Sequence, residues 1–74
     1  MNKVWYNKLG RRIKHIRTER GLTQEELAEI VGINAKFEGR IERALNKPSL
    51  DTVFKIAKSL NVEPVELFKF DDKS

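Results

Sequence analysis

The chain has no cysteine, which excludes a disulfide framework, a thiolate metal site and thiol chemistry. Histidine occurs once, at His15, beside an apolar stripe and with no companion nucleophile or acid near it in sequence, so no catalytic set is recognisable. Metal binding needs clustered ligands, and Asp71-Asp72 near the end of the chain is too little. No window approaches the ~20 apolar residues of a membrane span. The opening MNKVWYNKLG lacks the apolar segment of a signal peptide. These absences point away from an enzyme, a metal or other cofactor, a small-molecule ligand and a membrane, and they fit the cytoplasm. Length is also scarce: 74 residues allow one domain, spanning 1–74. A chain this short buries only about 60% of its unfolded surface, so a partner chain would help it.

What the chain does have is positive charge, +4 net with a pI near 9.6. Its distribution says more than its sum. Residues 3–20 carry Lys3, Lys8, Arg11, Arg12, Lys14, Arg17 and Arg20 against Glu19 alone, and residues 36–47 carry Lys36, Arg40, Arg43 and Lys47 against Glu38 and Glu42. A basic face on a small helical domain is what phosphate binding needs; charge kept for solubility gives the same totals.

Apolar spacing predicts five short helices. Leu9, Ile13 and Ile16 form one helical stripe, with a helix over about Tyr6–Arg20 and Gly21 as its stop. Thr23 and Glu26 make a capping box for a helix over 24–31, with Leu22 as the staple; Leu27, Ala28 and Val31 face inward and Gly32 ends it. Asn34 suits the N-cap of a third helix, over about 35–44 and reaching toward Leu45. Ser49 caps a fourth, with Leu50, Val53, Ala57 and Leu60 as its stripe, and Pro64 opens a last short helix. Only about three residues join the second and third helices, with a glycine at the turn, which is the spacing of a helix-turn-helix.

The third helix carries the functional question. Advancing ~100° per residue from Ala35 places Phe37, Ile41 and Leu45 on one side. Ala35, Lys36, Gly39, Arg40 and Arg43 fall opposite, with Gly39 near the centre, where a missing side chain would let a surface come close. Lysine and arginine can donate to guanine O6 and N7, and an alanine methyl can meet a thymine methyl. An ordinary solvated face is the competing reading.

The stretch LGRRIKHIRTERGLTQEELAEIVGINAKFEGRIERALNKPSLDTVFKIAKSLNVEPVELF, residues 9–68, resembles the Cro/phage-repressor (XRE) type of helix-turn-helix regulator. The blocks R-x-x-x-G-L-T-Q-E-E-L-A, R-I-E-R, P-S-L-x-T and K-I-A-x-x-L-x-V stand in order and at family spacing. The resemblance implies an all-α, compact five-helix domain of the lambda/434-repressor type. Its partners would be double-stranded DNA and a second copy of the chain, a homodimer acting on transcription, in the simplest case by repression. It also implies roles. Ala35, Lys36, Gly39 and Arg40 would meet base edges; Gln24, Asn34, Phe37, Arg43, Asn46 and Lys47 would lie against phosphates. Arg17 and Glu42 would form an internal ion pair between the first and third helices.

Two positions depart from the pattern. Glu38 stands where relatives often carry an apolar residue, so a cation on another helix is expected beside it. Ala44-Leu45 replaces a glycine-led turn, so the third helix is expected to run longer. Trp5, Tyr6, Leu67, Phe68 and Phe70, at the two ends of the pattern, are expected to form a dimer patch or to pack on one another, and residues 71–74 to fray. Two other roles suit a domain of this size: the antitoxin of a toxin–antitoxin pair, and the controller of restriction–modification genes.

Overall fold

Helix α1 spans Lys3–Glu19, α2 Gln24–Val31, α3 Ala35–Glu42 and α4 Leu50–Ser59, followed by a 3-10 turn over Pro64–Phe68. The computed structural model describes residues 3–70, so the expected fraying of 71–74 lies outside the described residues. There is no strand among the described residues. Among the described residues there are four α-helices and one 3-10 turn rather than five helices, because Pro64–Phe68 is too short to close a stable α-helical ladder.

The helix starts follow local chemistry. Thr23 accepts from the Glu26 amide at 3.0 Å while the Glu26 carboxylate accepts from the Thr23 amide at 2.8 Å, a complete capping box. Asn34 accepts from the Phe37 amide at 2.7 Å and Ser49 from the Thr52 amide at 3.1 Å. Gly32, at φ +93°, closes α2 in the left-handed region that glycine enters without cost.

Leu9, Ile13, Ile16, Leu27, Ile41, Val53, Ile56, Leu60 and Leu67 make one core shared by all four helices and the turn. Leu67 belongs to this core and is fully buried, so it is no part of a surface patch. Leu45 and Leu50, expected on inner stripes, are instead exposed. The reason for Leu45 is that α3 stops early. Its last helical residue is Glu42, and Ala44 turns the chain at φ +59°, a left-handed conformation taken by an alanine. The sequence had pointed to a longer helix; the turn is made anyway, with the Leu45 and Asn46 amides both donating to the Arg40 carbonyl.

Helix α1 crosses α3 at backbone contact. A methyl added to Gly10 would overlap the Glu42 carbonyl and come within 2.8 Å of the Ile41 carbonyl oxygen. No other residue type fits there without moving α3. The left-handed conformation costs a non-glycine residue roughly 1–2 kcal/mol. Ala44→Gly is therefore expected to stabilise the fold by about 1 kcal/mol, read as a higher urea midpoint at unchanged slope.

Candidate nucleic-acid interface

Three helices converge on one buried ion pair behind α3. Arg17 of α1 donates from Nε to Glu42 Oε2 at 2.7 Å and from Nη2 to Oε1 at 3.1 Å, in fork geometry, and from Nη1 to the Leu22 carbonyl at 2.6 Å. Gln24, the first residue of α2, donates from Nε2 to Glu42 Oε1 at 3.1 Å. Burial alone would raise the Glu42 carboxyl. The neighbouring Glu38 carboxyl and the donors Arg17 and Gln24 outweigh it and hold Glu42 below the usual carboxylate range. Arg17 is raised above its ordinary value, chiefly by its hydrogen bond to Glu42. The ion pair expected between the first and third helices is thus present.

That junction sets which face of α3 points outward. Lys36 is exposed, and Ala35 and Arg40 are half-buried. Ala35 and Lys36 line one open depression together with Thr23, Gln24 and Glu25 at the start of α2. Two helix starts therefore share a concave surface, with backbone amides and a cation along it. Arg40 is held by Asn46, whose Oδ1 accepts from Nε at 2.5 Å. Arg43 Nε donates to the Gly39 carbonyl at 3.1 Å. Lys47 Nζ lies 5.6 Å from the centre of the Tyr6 ring, a cation–π contact that carries the loop after α3 toward α1.

Gly39 departs from its expected role. It is buried, and a side chain there would meet Gln24 Oε1 at 3.1 Å. The bare position is covered by the Gln24 side chain, which reaches across it to Glu42, so Gly39 is not an open crest on the outer face. Phe37 packs partly against the core and Asn34 serves as a cap, with its side-chain oxygen already occupied. Gln24 likewise turns its amide inward. What these three positions leave free for an anion is chiefly the backbone amides of the α2 start.

Cations of the 3–20 run look alike in sequence, yet three of its arginines are engaged in the fold. Arg12 Nε donates to the Glu66 carbonyl at 2.8 Å and Arg20 Nε to the Leu60 carbonyl at 2.9 Å; with Arg17, they brace the fold. His15 is exposed beside Glu19, at 3.2 Å. Trp5 stacks on Phe70 with ring centres 6.2 Å apart, and Phe68 meets Phe70 edge-on at the same distance, so the two chain ends do pack on each other. Leu50 lies exposed beside this cluster, and Phe54 is exposed one turn further along α4. Phe54 falls to the side of the Leu50–Val53–Ala57–Leu60 stripe, which is the available signal for it; Leu50 stands on the stripe by period and carries none.

A helix-turn-helix family model matches residues 13–67. Over 62 residues the chain is 40% identical to an uncharacterised HTH-type transcriptional regulator of Archaeoglobus fulgidus, covering 84% of this chain and 89% of that one. Among solved structures it is similar to the restriction-modification controller protein C.AhdI from Aeromonas hydrophila, with a TM-score of 0.88 and 37% identity, covering 90% of this chain and 97% of that one. It is also similar to SinR, a master regulator for biofilm formation solved in complex with DNA. There the TM-score is 0.75 and the identity 37%, over 80% of this chain and 95% of that one.

Arg17→Met leaves Glu42 buried without its cation and is expected to cost about 3–5 kcal/mol in denaturant unfolding. Arg17→Met combined with Glu42→Leu is expected to recover most of the loss. The Glu42 contribution is present above the usual carboxylate range and disappears as pH falls through its lowered value. The double variant should accordingly show a weaker loss of stability in acid.

Proposed function

Because the chain belongs to the helix-turn-helix family of transcriptional regulators, we propose that it binds duplex DNA sequence-specifically as a homodimer and acts in the cytoplasm as a repressor. One α3 from each protomer enters successive major grooves about 34 Å apart on a pseudo-palindromic operator. The observation that carries this reading is the outer face of α3. Ala35, Lys36 and Arg40 stand on it, beside the start of α2, on a scaffold fixed by the Arg17–Glu42–Gln24 junction.

The roles divide by reach. Lys36 and Arg40 donate to base edges and Ala35 contacts an apolar base edge. The backbone amides at the α2 start, that of Gln24 included, hold one phosphate. Arg43, Asn46 and Lys47 hold the backbone beyond the end of α3, where the chain turns at Ala44. Arg40 reaches a base by leaving Asn46, so the pair in the free protein is a resting arrangement.

The homodimer reading draws on an apolar surface. Trp5, Leu50, Phe54, Val65 and Phe68 are each at least 43% exposed. Trp5, Leu50 and Phe68 line a groove whose floor includes Tyr6, Leu9, Pro48 and Val53. A second copy is the occupant that a two-fold operator requires, and one patch facing itself closes a symmetric pair.

Arg40→Ala is expected to lose about 1–3 kcal/mol of discrimination at one base pair. Lys47→Ala is expected to weaken binding on every sequence and to flatten the salt slope by about one. Both are measured by anisotropy titration on sites selected from a random duplex pool. Uniform weakening by Arg40→Ala would contradict the assignment. Sedimentation should give a dimer for the native chain and a folded monomer for Phe54→Glu; a native monomer, even with operator present, removes the palindrome.

A further inference from the structure

The inner side of α3 holds a carboxyl that operator binding does not use. Glu38 is completely buried, and neither of its oxygens has a hydrogen-bond partner among the described residues. The expected cation on another helix does not pair with it. The near cation is Arg17, and its hydrogen bonds go to Glu42 and to the Leu22 carbonyl. Two carboxyls, Glu38 and Glu42, thus sit one helical turn apart behind the recognition face with a single guanidinium between them. One positive charge cannot compensate two buried negative ones, and a buried carboxylate without a partner is among the costliest groups a fold can contain. The geometry decides which carboxyl keeps its charge: Glu42 receives Arg17 and Gln24, whereas Glu38 receives no donor and has the Glu42 carboxyl beside it, to which only its neutral form can donate.

We propose that Glu38 is a positioning residue for α3: it enters the fold as a neutral acid, and its ionisation in alkaline solution loosens α3 from α1 and α2. Resting on the operator reading only in its last step, the proposal makes DNA binding by this chain fall off as solution becomes alkaline. Neutral Glu38 fills an apolar position as a side chain of similar shape would, whereas the ionised form leaves an uncompensated charge against the Arg17–Glu42 pair.

The titration agrees in direction. Burial above all, then the adjacent Glu42 carboxyl, raises the Glu38 pKa to about 9, against the opposing pull of Arg17. The charged groups facing it are Arg17 from α1 and Glu42 from α3; α2 brings the neutral Gln24 amide to the same cluster. A folded-state pKa raised from the ordinary 4.5 to about 9 means that folding retains a proton the unfolded chain releases. The stability associated with neutral Glu38 is therefore complete below the ordinary value, declines as pH rises, and is fully lost above the raised one.

The test compares the native chain with Glu38→Gln, which keeps the shape and cannot ionise; Glu38→Leu replaces it if the amide variant does not fold. Carbon NMR of the side-chain carboxyls should show one resonance, missing from the variant, titrating near pH 9. The native melting temperature should fall between about pH 5 and about pH 9 more steeply than that of the variant. On a selected operator, native affinity should drop about tenfold relative to the variant over the alkaline part of that range, a change of about 1.4 kcal/mol. Lysine deprotonation affects both chains alike and cancels in the ratio. A Glu38 carboxyl titrating in the ordinary acid range, or parallel melting profiles, overturns the proposal. If neither chain binds any duplex at any pH, the operator reading fails, and the NMR and melting curves still decide whether Glu38 is a neutral strut.

Discussion

The Glu42 carboxylate accepts hydrogen bonds from α1 and from α2, and the direction of α3 depends on it. Arg17 approaches from α1 and Gln24 from the start of α2, at 2.7–3.1 Å. A buried pair of this kind is a weak source of net stability, since desolvation offsets most of the attraction. Its effect is geometric. A fork of two hydrogen bonds fixes rotation as well as distance, and α3 is only eight residues long, too short to hold itself by its own ladder. Removing the junction would leave apolar packing through Ile41 and Phe37, which tolerates rotation.

Three local irregularities of the chain collect around the same helix. Gly10 lets α1 touch the backbone of α3, Gly39 makes room for the Gln24 side chain, and Ala44 accepts a left-handed turn. Each is unfavourable or unremarkable when judged from its own neighbours in sequence. Together they end α3 early, let α1 cross it in close contact at Ile41 and Glu42, and lock it to α2. Local preference gives way where the orientation of one helix is at stake, as expected where a surface must match a partner.

The parts of this structure legible in the sequence are those decided within a few residues. Thr23–Glu26, Asn34 and Ser49 announce helix starts because a cap needs only its own turn. The outward placement of Lys36 and Arg40 follows from the period of the helix. The Arg17–Glu42 pair was legible only through family resemblance, as nothing within 25 residues of chain joins them. Other features needed the tertiary arrangement. Leu67 is core because the 3-10 turn packs on both α1 and α4, while Leu45 is exposed because the chain turns at Ala44 before α3 could bury it. Gly39 read as bare because the residue covering it lies on another helix.

Charge shows the same division more sharply. Arg12, Arg17 and Arg20 stand in one basic run with Lys8, Arg11 and Lys14, yet the three arginines reach carbonyls or Glu42 across 40 or more, 25 and 5 positions of chain. A guanidinium can brace a fold this way because it offers several donors in fixed directions; an ammonium on a flexible stem is less suited to it. The net charge of +4 therefore overstates the cation available to a partner on α1. Lys36, Arg40, Arg43 and Lys47, by contrast, lie on α3 and the loop that leaves it. Since that loop is shaped by the turn at Ala44, the backbone irregularity places the cations, and α3 alone does not.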